Sequence, residues 1–246
     1  MRQDTRAILL LAKITLLTFC ITSCEKDDGA HNDGILTSSA VFNSSLTYGT
    51  LADIDGNNYR TIVIGTQTWM AENLRTTSYN DGSQILSLKT AVSWQTDESG
   101  AYCEYDNETQ EDTIATYGRL YNWYVVQKGN VCPSGWHVPS KDELQTLVDY
   151  INSEHKGGAL KEVDNYHWYS PNSYATNEYG FTALPGGARF KGGSFGNFKY
   201  YGYWWTSTAY SQSGAYAMGL YYSDGDVGFN GSNMHTGYSI RCIKDN

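Results

Sequence analysis

An α+β fold is predicted for the chain from residue 49 onward, on three observations. Two segments in the first half of this region have the 3.6-residue spacing of apolar side chains that is typical of helices. The second half has no long helical pattern and consists of short aromatic segments separated by glycine and asparagine. Asp-Gly sequences between extended segments indicate tight turns. Helices and antiparallel strands in separate stretches favour α+β over an alternating α/β arrangement.

The two predicted helices have different signals. Leu120, Trp123 and Tyr124 recur at i, i+3 and i+4, which favours a helix over about residues 117–127. The second helix begins at Ser140 and Glu143, which have the spacing of a capping box. It continues to about residue 153, and its apolar stripe consists of Leu144, Leu147, Val148 and Ile151.

Extended segments are predicted on both sides of these helices. Residues 59–64 are rich in β-branched side chains and follow the turn signal Asp55-Gly56. Asp224-Gly225-Asp226 predicts a hairpin turn between two aromatic strands late in the chain. The other predicted extended segments are 67–74, 181–184, 203–207, 216–222 and 238–243.

The N-terminus has the features of an export signal. Arg2 and Arg6 precede an apolar run over residues 7–21, which Lys13 interrupts. A membrane-spanning helix needs about 20 apolar residues, so this shorter run favours a signal peptide. The run ends in Ile21-Thr22-Ser23-Cys24, which resembles the lipobox of bacterial lipoproteins. We therefore predict that residues 1–23 are removed and that lipid is attached to Cys24.

The next segment predicts a tether at the cell surface. Residues 24–48 are mostly Ser, Asn, Thr, Gly and Asp, a composition typical of flexible linkers. Glu25-Lys26-Asp27-Asp28 resembles the acidic tag that sends some Bacteroidetes lipoproteins to the outer face of the outer membrane, although a solvated linker has a similar composition. The expectation is an outer-membrane lipoprotein whose domain, residues 49–246, faces the cell exterior.

Composition argues against nucleic acid as a partner. The formal net charge is −9, and removal of residues 1–23 would take away three basic residues and one acidic residue. Such an acidic protein repels phosphate backbones. The chain also contains 21 tyrosines. Tyrosine offers a large, rigid and amphipathic contact surface, which suits extracellular recognition.

Seven blocks of sequence follow one another along the domain: residues 54–59, 69–74, 117–124, 132–140, 180–187, 203–208 and 240–242. In content and order they resemble the Fibrobacter succinogenes major paralogous domain. That family occurs in secreted and lipid-anchored proteins of Bacteroidetes and Fibrobacteres. The resemblance implies a role in adhesion or carbohydrate binding, which is suspected for the family.

A more distant resemblance concerns the fold. Residues 136–140 at the start of the second helix, and the closing residues 240–242, are similar to parts of formylglycine-generating enzymes. This implies a C-type-lectin-like domain, with two helices, small twisted antiparallel sheets and long loops. Cys103, Cys132 and Cys242 remain after processing, and three single pairings are possible. The resemblance favours Cys132–Cys242, because in lectin-like folds the chain end returns beside the start of the second helix.

The sequence does not favour an enzyme. Formylglycine-generating enzymes carry two closely spaced cysteines near the C-terminus, whereas this chain has only Cys242 there. Zinc-motif histidine pairs and a P-loop are both missing from the sequence. The acidic residues over 97–112, with Asp224 and Asp226, lack EF-hand spacing, so a solvated loop is favoured over a calcium site. We expect no catalytic residues, no cofactor and no metal site.

The late aromatic segments are the candidate ligand site. Trp204 and Trp205 are adjacent and so face opposite sides of a strand. Either one is in the core and the other is free to stack on a ligand, or both lie under covering loops. The predicted function is a non-catalytic binding or adhesion module for a glycan or other extracellular polymer; the alternative is a structural or assembly protein of the cell envelope. The candidate contacts are Tyr201, Trp205, Tyr216, Tyr221 and Tyr222.

Overall fold

A computed structural model of the chain describes residues 38–245 and confirms the α+β class. The helices are α1 (Ala91–Thr96), α2 (Glu111–Tyr117), α3 (Trp123–Lys128), α4 (Lys141–Tyr150) and α5 (Lys156–Leu160). The strands are β1 (Gly49–Ala52), β2 (Asn58–Ile64), β3 (Gln67–Met70), β4 (Leu86–Ser87), β5 (Ala101–Cys103), β6 (Leu120–Tyr121), β7 (Trp136–His137), β8 (Ala188–Arg189), β9 (Phe195–Gly196), β10 (Tyr201–Ser211), β11 (Gly214–Tyr221), β12 (Gly228–Asn233) and β13 (Ile243–Lys244).

The largest sheet unites distant parts of the chain. Its five strands have the order β1–β2–β3–β13–β7, and every neighbouring pair is antiparallel. The C-terminal strand is in the interior of this sheet, where Ile243 is opposite Trp69 of β3 and His137 of β7. The end of the chain therefore completes the sheet that the first strands begin.

The second sheet consists of β10, β11 and β12 in that order, all antiparallel. The predicted turn over residues 224–226 is confirmed, since it connects β11 to β12. Trp204 and Trp205 of β10 are both buried, and they belong to two different hydrophobic cores on opposite faces of this sheet. Two smaller sheets have the strand orders β4–β5–β6 and β8–β9.

Helix α4 confirms the capping box. The Ser140 hydroxyl accepts from the Glu143 N–H (3.2 Å), and the Glu143 carboxylate accepts from the Ser140 N–H (2.8 Å). The whole predicted stripe is buried. The helix ends at Tyr150, slightly earlier than predicted, and Ile151 is its C-cap.

The predicted helix over residues 117–127 is confirmed only from Trp123 onward. Helix α2 ends at Tyr117, and Gly118 follows with φ 72° while its N–H donates to the Ile114 carbonyl. A Cβ at Gly118 would lie 2.7 Å from Asn73 Cβ, so the chain turns where only glycine fits. Leu120 and Tyr121 then form β6, and α3 begins afresh at Trp123. The apolar residues that predicted one helix are therefore divided between two elements, with Leu120 in β6 and Trp123 and Tyr124 in α3.

Two of the late extended segments are not regular strands. Residues 181–184 make one bridge, between Ala183 and Lys161, and residues 238–242 make isolated bridges before β13 begins. The side chain of Arg241 explains part of this arrangement. Its guanidinium donates to the carbonyls of Phe181 and Thr182, which would otherwise need a partner strand.

Residues 38–48, which composition assigns to the tether, pack on the domain instead. Phe42, Leu46 and Tyr48 contact the hydrophobic core that contains Trp204. Asn43 Nδ2 also donates to the Asn177 carbonyl (3.0 Å). The domain therefore begins before residue 49, because scattered apolar side chains are enough to anchor this segment. The predicted signal peptide, Cys24 and the tether up to residue 37 lie outside the described residues. Within residues 38–245, no helix is long and apolar enough to cross a membrane.

The structure contains the Cys132–Cys242 disulfide that the lectin-like resemblance implies. It joins the segment before β7 to the residue before β13, and these two strands are neighbours in the large sheet. Cys103 is a buried free thiol in the described part of the chain, and burial raises its pKa to about 12. This thiol therefore stays protonated at physiological pH.

Candidate functional site

A groove of about 330 Å³ lies along one face of the β10–β11–β12 sheet. The strand residues Tyr201 and Tyr203, Gly219 and Tyr221, and Gly228 and Asn230 are each two positions apart, so each pair lies on one face of its strand. We call this groove the tyrosine groove, and its principal lining residues are Tyr201, Tyr203, Tyr221, Asp224, Asp226 and Asn230.

The strand register explains the shape of the tyrosine groove. Tyr201 pairs with Tyr221 across β10 and β11, whereas Tyr203 pairs with Gly219, which in turn pairs with Gly228 of β12. A Cβ on Gly219 would lie 3.4 Å from the Tyr203 ring, and a Cβ on Gly228 would lie 3.1 Å from Asn230 Nδ2. Glycines therefore leave the floor open beside the tyrosines.

The tyrosines of the groove form a stack. Ring centroids are 4.3 Å apart for Tyr221 and Tyr201, 5.1 Å for Tyr201 and Tyr203, and 4.6 Å for Tyr203 and Tyr238. Each inner ring thus has a neighbour on both faces, so a ligand in the groove meets mainly ring edges and hydroxyls. Burial raises the pKa of both Tyr201 and Tyr203. Their hydroxyls therefore stay protonated at neutral pH, when they both donate and accept hydrogen bonds.

A buried lysine supports one end of the groove. Lys161 is 0% exposed, and its ammonium donates to the carbonyls of Ser173 (2.8 Å), Tyr221 (3.0 Å) and Asp224 (2.8 Å). These three bonds use all its donors and fix the turn that carries Asp224 and Asp226. Burial lowers the pKa of Lys161 to about 8, and the nearby Asp224 carboxylate opposes that shift.

Helix α5 reaches this turn because it contains two glycines. The Gly157 N–H donates to the Gly225 carbonyl (2.7 Å), and a Cβ at Gly157 would lie only 2.2 Å from the Asp226 carbonyl oxygen. At Gly158 a Cβ would be equally close to the Tyr174 carbonyl oxygen. In the sequence, the Gly-Gly pair indicates only that the long helical patterns end there. In the structure, the pair lets the backbone of α5 approach the backbone of neighbouring segments closely.

A second polar cluster lies at the N-terminal segment. His167 Nδ1 is 2.7 Å from Glu162 Oε2, His167 Nε2 is 3.0 Å from Ser39 Oγ, and the Val41 N–H donates to Glu162 Oε1 (2.5 Å). Ligand atoms of Glu162, Asp164 and His167 all lie within 4.8 Å of one another, as metal ligands could. Both His167 nitrogens already have partners in the chain, and these contacts hold residues 39–41 against the domain.

Ser39, His167 and Glu162 are connected in the order of a serine-hydrolase triad. Acyl transfer also needs N–H donors directed at the developing oxyanion. The N–H groups of residues 39–41 donate instead to side-chain oxygens of Thr116, Ser38 and Glu162. These N–H groups are therefore already used within the chain, and the contacts of Ser39, His167 and Glu162 anchor residues 39–41 to the domain.

The structure brings together some of the sequence-predicted site residues and separates others. Tyr201 and Tyr221 line the tyrosine groove, and Tyr222 is adjacent, 4.6 Å from Tyr221 between ring centroids. Trp205 is wrong as a ligand contact, since it is 0% exposed and its indole N–H donates to the Tyr121 carbonyl. The alternative that both tryptophans are covered is the correct one.

Tyr216 is also misplaced in the prediction. It alternates with Ala217 on β11 and so faces away from Tyr221, and Lys141 Nζ lies 4.5 Å from its ring centroid. Sequence reasoning missed Tyr203, Asn230 and Lys161. The two-residue spacing of Tyr201 and Tyr203 could have placed both on one face, whereas nothing in the sequence marks Lys161 as buried.

The family model described as the Fibrobacter succinogenes major domain matches residues 62–244. The matched span contains both cysteines of the disulfide, Lys161 and the whole tyrosine groove. Comparisons with curated proteins and with solved structures found no significant match.

Proposed function

Because the chain belongs to the Fibrobacter succinogenes major domain family, we propose that it is a non-catalytic binding or adhesion module and that the tyrosine groove binds a glycan. The observation that carries this proposal is the combination of aromatic rings with carboxylate and amide groups in one cleft. Sugar hydroxyls need hydrogen-bond partners, which the tyrosine hydroxyls also supply, and sugar C–H patches can pack against the exposed ring edges. Asp224, Asp226 and Asn230 offer those partners.

We also propose a C-type-lectin-like architecture for the domain. Strand β13 lies beside β7, which directly precedes α4, so the chain end returns to the start of the second predicted helix. The disulfide joins the same two places. These features support the similarity to the fold of formylglycine-generating enzymes.

Substitutions in the tyrosine groove test the glycan proposal. A glycan array probed with the full chain selects a ligand, and Tyr201→Ala, Tyr221→Ala and Asp226→Asn are then compared with the parent by calorimetry. We expect each variant to weaken binding at least about tenfold, the equivalent of one lost contact of about 1.4 kcal/mol. Tyr216→Ala is the matched control, because Tyr216 lies on the same strand but faces away.

Folding of each variant is checked by circular dichroism. If the folded groove variants bind as tightly as the parent, the site lies elsewhere. If no glycan on the array binds at all, the glycan proposal is abandoned.

The second candidate function is a structural or assembly role in the cell envelope. It is favoured by the stacking of Tyr221, Tyr201, Tyr203 and Tyr238, whose faces cover one another as core side chains do. On this alternative Tyr201→Ala lowers the thermal stability of the chain, and no soluble ligand raises it.

Lipid anchoring at the outer surface of the outer membrane is part of the proposal. It is supported by the apolar run that ends in Ile21-Thr22-Ser23-Cys24. Each acyl methylene buried in a bilayer contributes about 0.8 kcal/mol. We expect Cys24→Ala to release the protein from membranes, and the intact protein to carry acyl mass on Cys24 in mass spectrometry. An N-terminal peptide without that mass contradicts the anchor.

A further inference from the structure

A second group of tyrosines lies beside the tyrosine groove and is more exposed. The rings of Tyr169 and Tyr200 are stacked with centroids 4.7 Å apart, and they are 50% and 39% exposed. Tyr222 meets both rings edge-on, at 5.6 Å and 5.2 Å. We call Tyr169, Tyr200 and Tyr222 the tyrosine platform. Unlike the inner rings of the groove, Tyr169 and Tyr200 are each stacked on a single ring.

The platform is held rigidly by backbone hydrogen bonds between three segments. The Tyr169 N–H donates to the Lys199 carbonyl (2.8 Å), and the Tyr222 N–H donates to the Tyr200 carbonyl (2.9 Å). The Ser173 N–H donates to the Tyr222 carbonyl (2.8 Å). A surface organised before binding loses less conformational entropy when a ligand arrives.

The platform lies next to the groove. The Tyr222 ring is 4.6 Å from the Tyr221 ring, which stacks on Tyr201 inside the groove. Each step between neighbouring ring centroids is comparable with the length of one sugar ring. A single sugar in the groove would therefore leave the platform uncovered, whereas a chain of sugars would cover both.

The charge of the tyrosine groove restricts the chemistry of the sugars that bind in it. Asp224 and Asp226 line the groove, and its lining contains no basic side chain. The nearby Lys161 ammonium is fully engaged by three carbonyls beneath the surface. Carboxylates disfavour a polymer that carries sulfate or uronate groups, because like charges repel at close range.

We infer that the ligand is a neutral polysaccharide bound along its length, with sugars in the tyrosine groove and further sugars on the tyrosine platform. This inference rests on the glycan-binding function proposed above. It adds that the protein recognises the interior of a chain and that the platform is a distinct subsite.

The test is a chain-length series on the full chain. The probes are neutral cello-, xylo- and manno-oligosaccharides from disaccharide to hexasaccharide, with oligogalacturonates of equal length as anionic counterparts. Calorimetry should show affinity rising about tenfold or more between disaccharide and hexasaccharide of the preferred series. The oligogalacturonates should bind more weakly than the preferred neutral series.

Platform variants identify the second subsite. Tyr169→Ala and Tyr200→Ala should weaken hexasaccharide binding about three- to tenfold and leave disaccharide binding unchanged, since only the longer probe reaches them. Tyr166→Ala is the matched control, because Tyr166 is 72% exposed on the same loop but contacts His167 instead. Circular dichroism establishes that each variant is folded.

The outcomes separate the two levels of the proposal. Equal affinity for all chain lengths, or unchanged hexasaccharide binding by both platform variants, overturns the extended-chain inference while the groove proposal stands. Tighter binding of oligogalacturonates than of the neutral series overturns the inference that the ligand is neutral. A complete lack of binding at every length contradicts the proposed function itself.

Discussion

The double variant Cys132→Ala/Cys242→Ala is expected to unfold more easily than the parent by about 4 kcal/mol, because it frees a long loop in the unfolded chain. The two cysteines are 110 residues apart, and both are buried. The bond holds β13 in the interior of the large sheet, between β3 and β7. Its loss should therefore loosen the chain end first, which hydrogen exchange at Ile243 can measure.

Cys103→Ala is the control for this experiment. It also removes a buried sulfur atom, but it breaks no crosslink. Urea unfolding should show a clearly smaller loss for Cys103→Ala than for the double variant. Recovery of Cys132 and Cys242 as free thiols from protein folded under oxidising conditions would contradict the pairing.

Replacing Lys161 with methionine is expected to affect both stability and binding. Methionine has a similar length but no donors, so three buried carbonyls lose their partner at once. Each unsatisfied buried acceptor costs about 1–3 kcal/mol, and partial relaxation should leave a total loss of about 3 kcal/mol. Since two of these carbonyls belong to Tyr221 and Asp224, the variant should also bind glycan at least about tenfold more weakly.

The pH dependence of the Lys161→Met effect has a defined sign. Burial lowers the folded pKa of Lys161 to about 8, below the reference value of 10.5. Between these values the unfolded chain binds more protons, so the contribution of Lys161 to the free energy of unfolding increases with pH. The stability difference between the parent and Lys161→Met should be constant below about pH 7 and widen by about 2 kcal/mol up to pH 9.5.

Lys156→Met is a suitable control, since that ammonium bonds to a single carbonyl, that of Val148 (2.8 Å). Its effect on stability should therefore be smaller than that of Lys161→Met. A difference for Lys161→Met that stays constant or narrows between about pH 7 and 9.5 would show that burial does not lower the pKa of Lys161.

The local sequence was sufficient to predict the structure of an element wherever its stabilising contacts are made between residues close together in the chain. The capping box of Ser140 and Glu143 is of this kind. Its hydrogen bonds involve neighbours in the chain, so distant residues have little influence on it. The same holds for the strand that follows the Asp55-Gly56 turn.

The helix predicted over residues 117–127 forms only from Trp123 onward. It shows that short-range spacing alone does not determine every element. The spacing of Leu120 and Trp123 favours a helix, but Leu120 pairs with Cys103 of β5, and Tyr121 exchanges hydrogen bonds with Tyr238. Such pairings depend on segments far away in sequence, and their contribution exceeds the small helix propensities of a few residues.

The sequence by itself determined the α+β class, the second helix and the aromatic richness from which Tyr201 and Tyr221 were chosen, because these follow from short-range spacing and composition. Only the tertiary structure decided that Trp204 and Trp205 are both covered, since a sheet buried on two faces needs layers from distant segments. It alone placed the Lys161 ammonium among three carbonyls of separate loops. A buried charge is tolerated only where the fold brings such partners together, and no local pattern encodes that convergence.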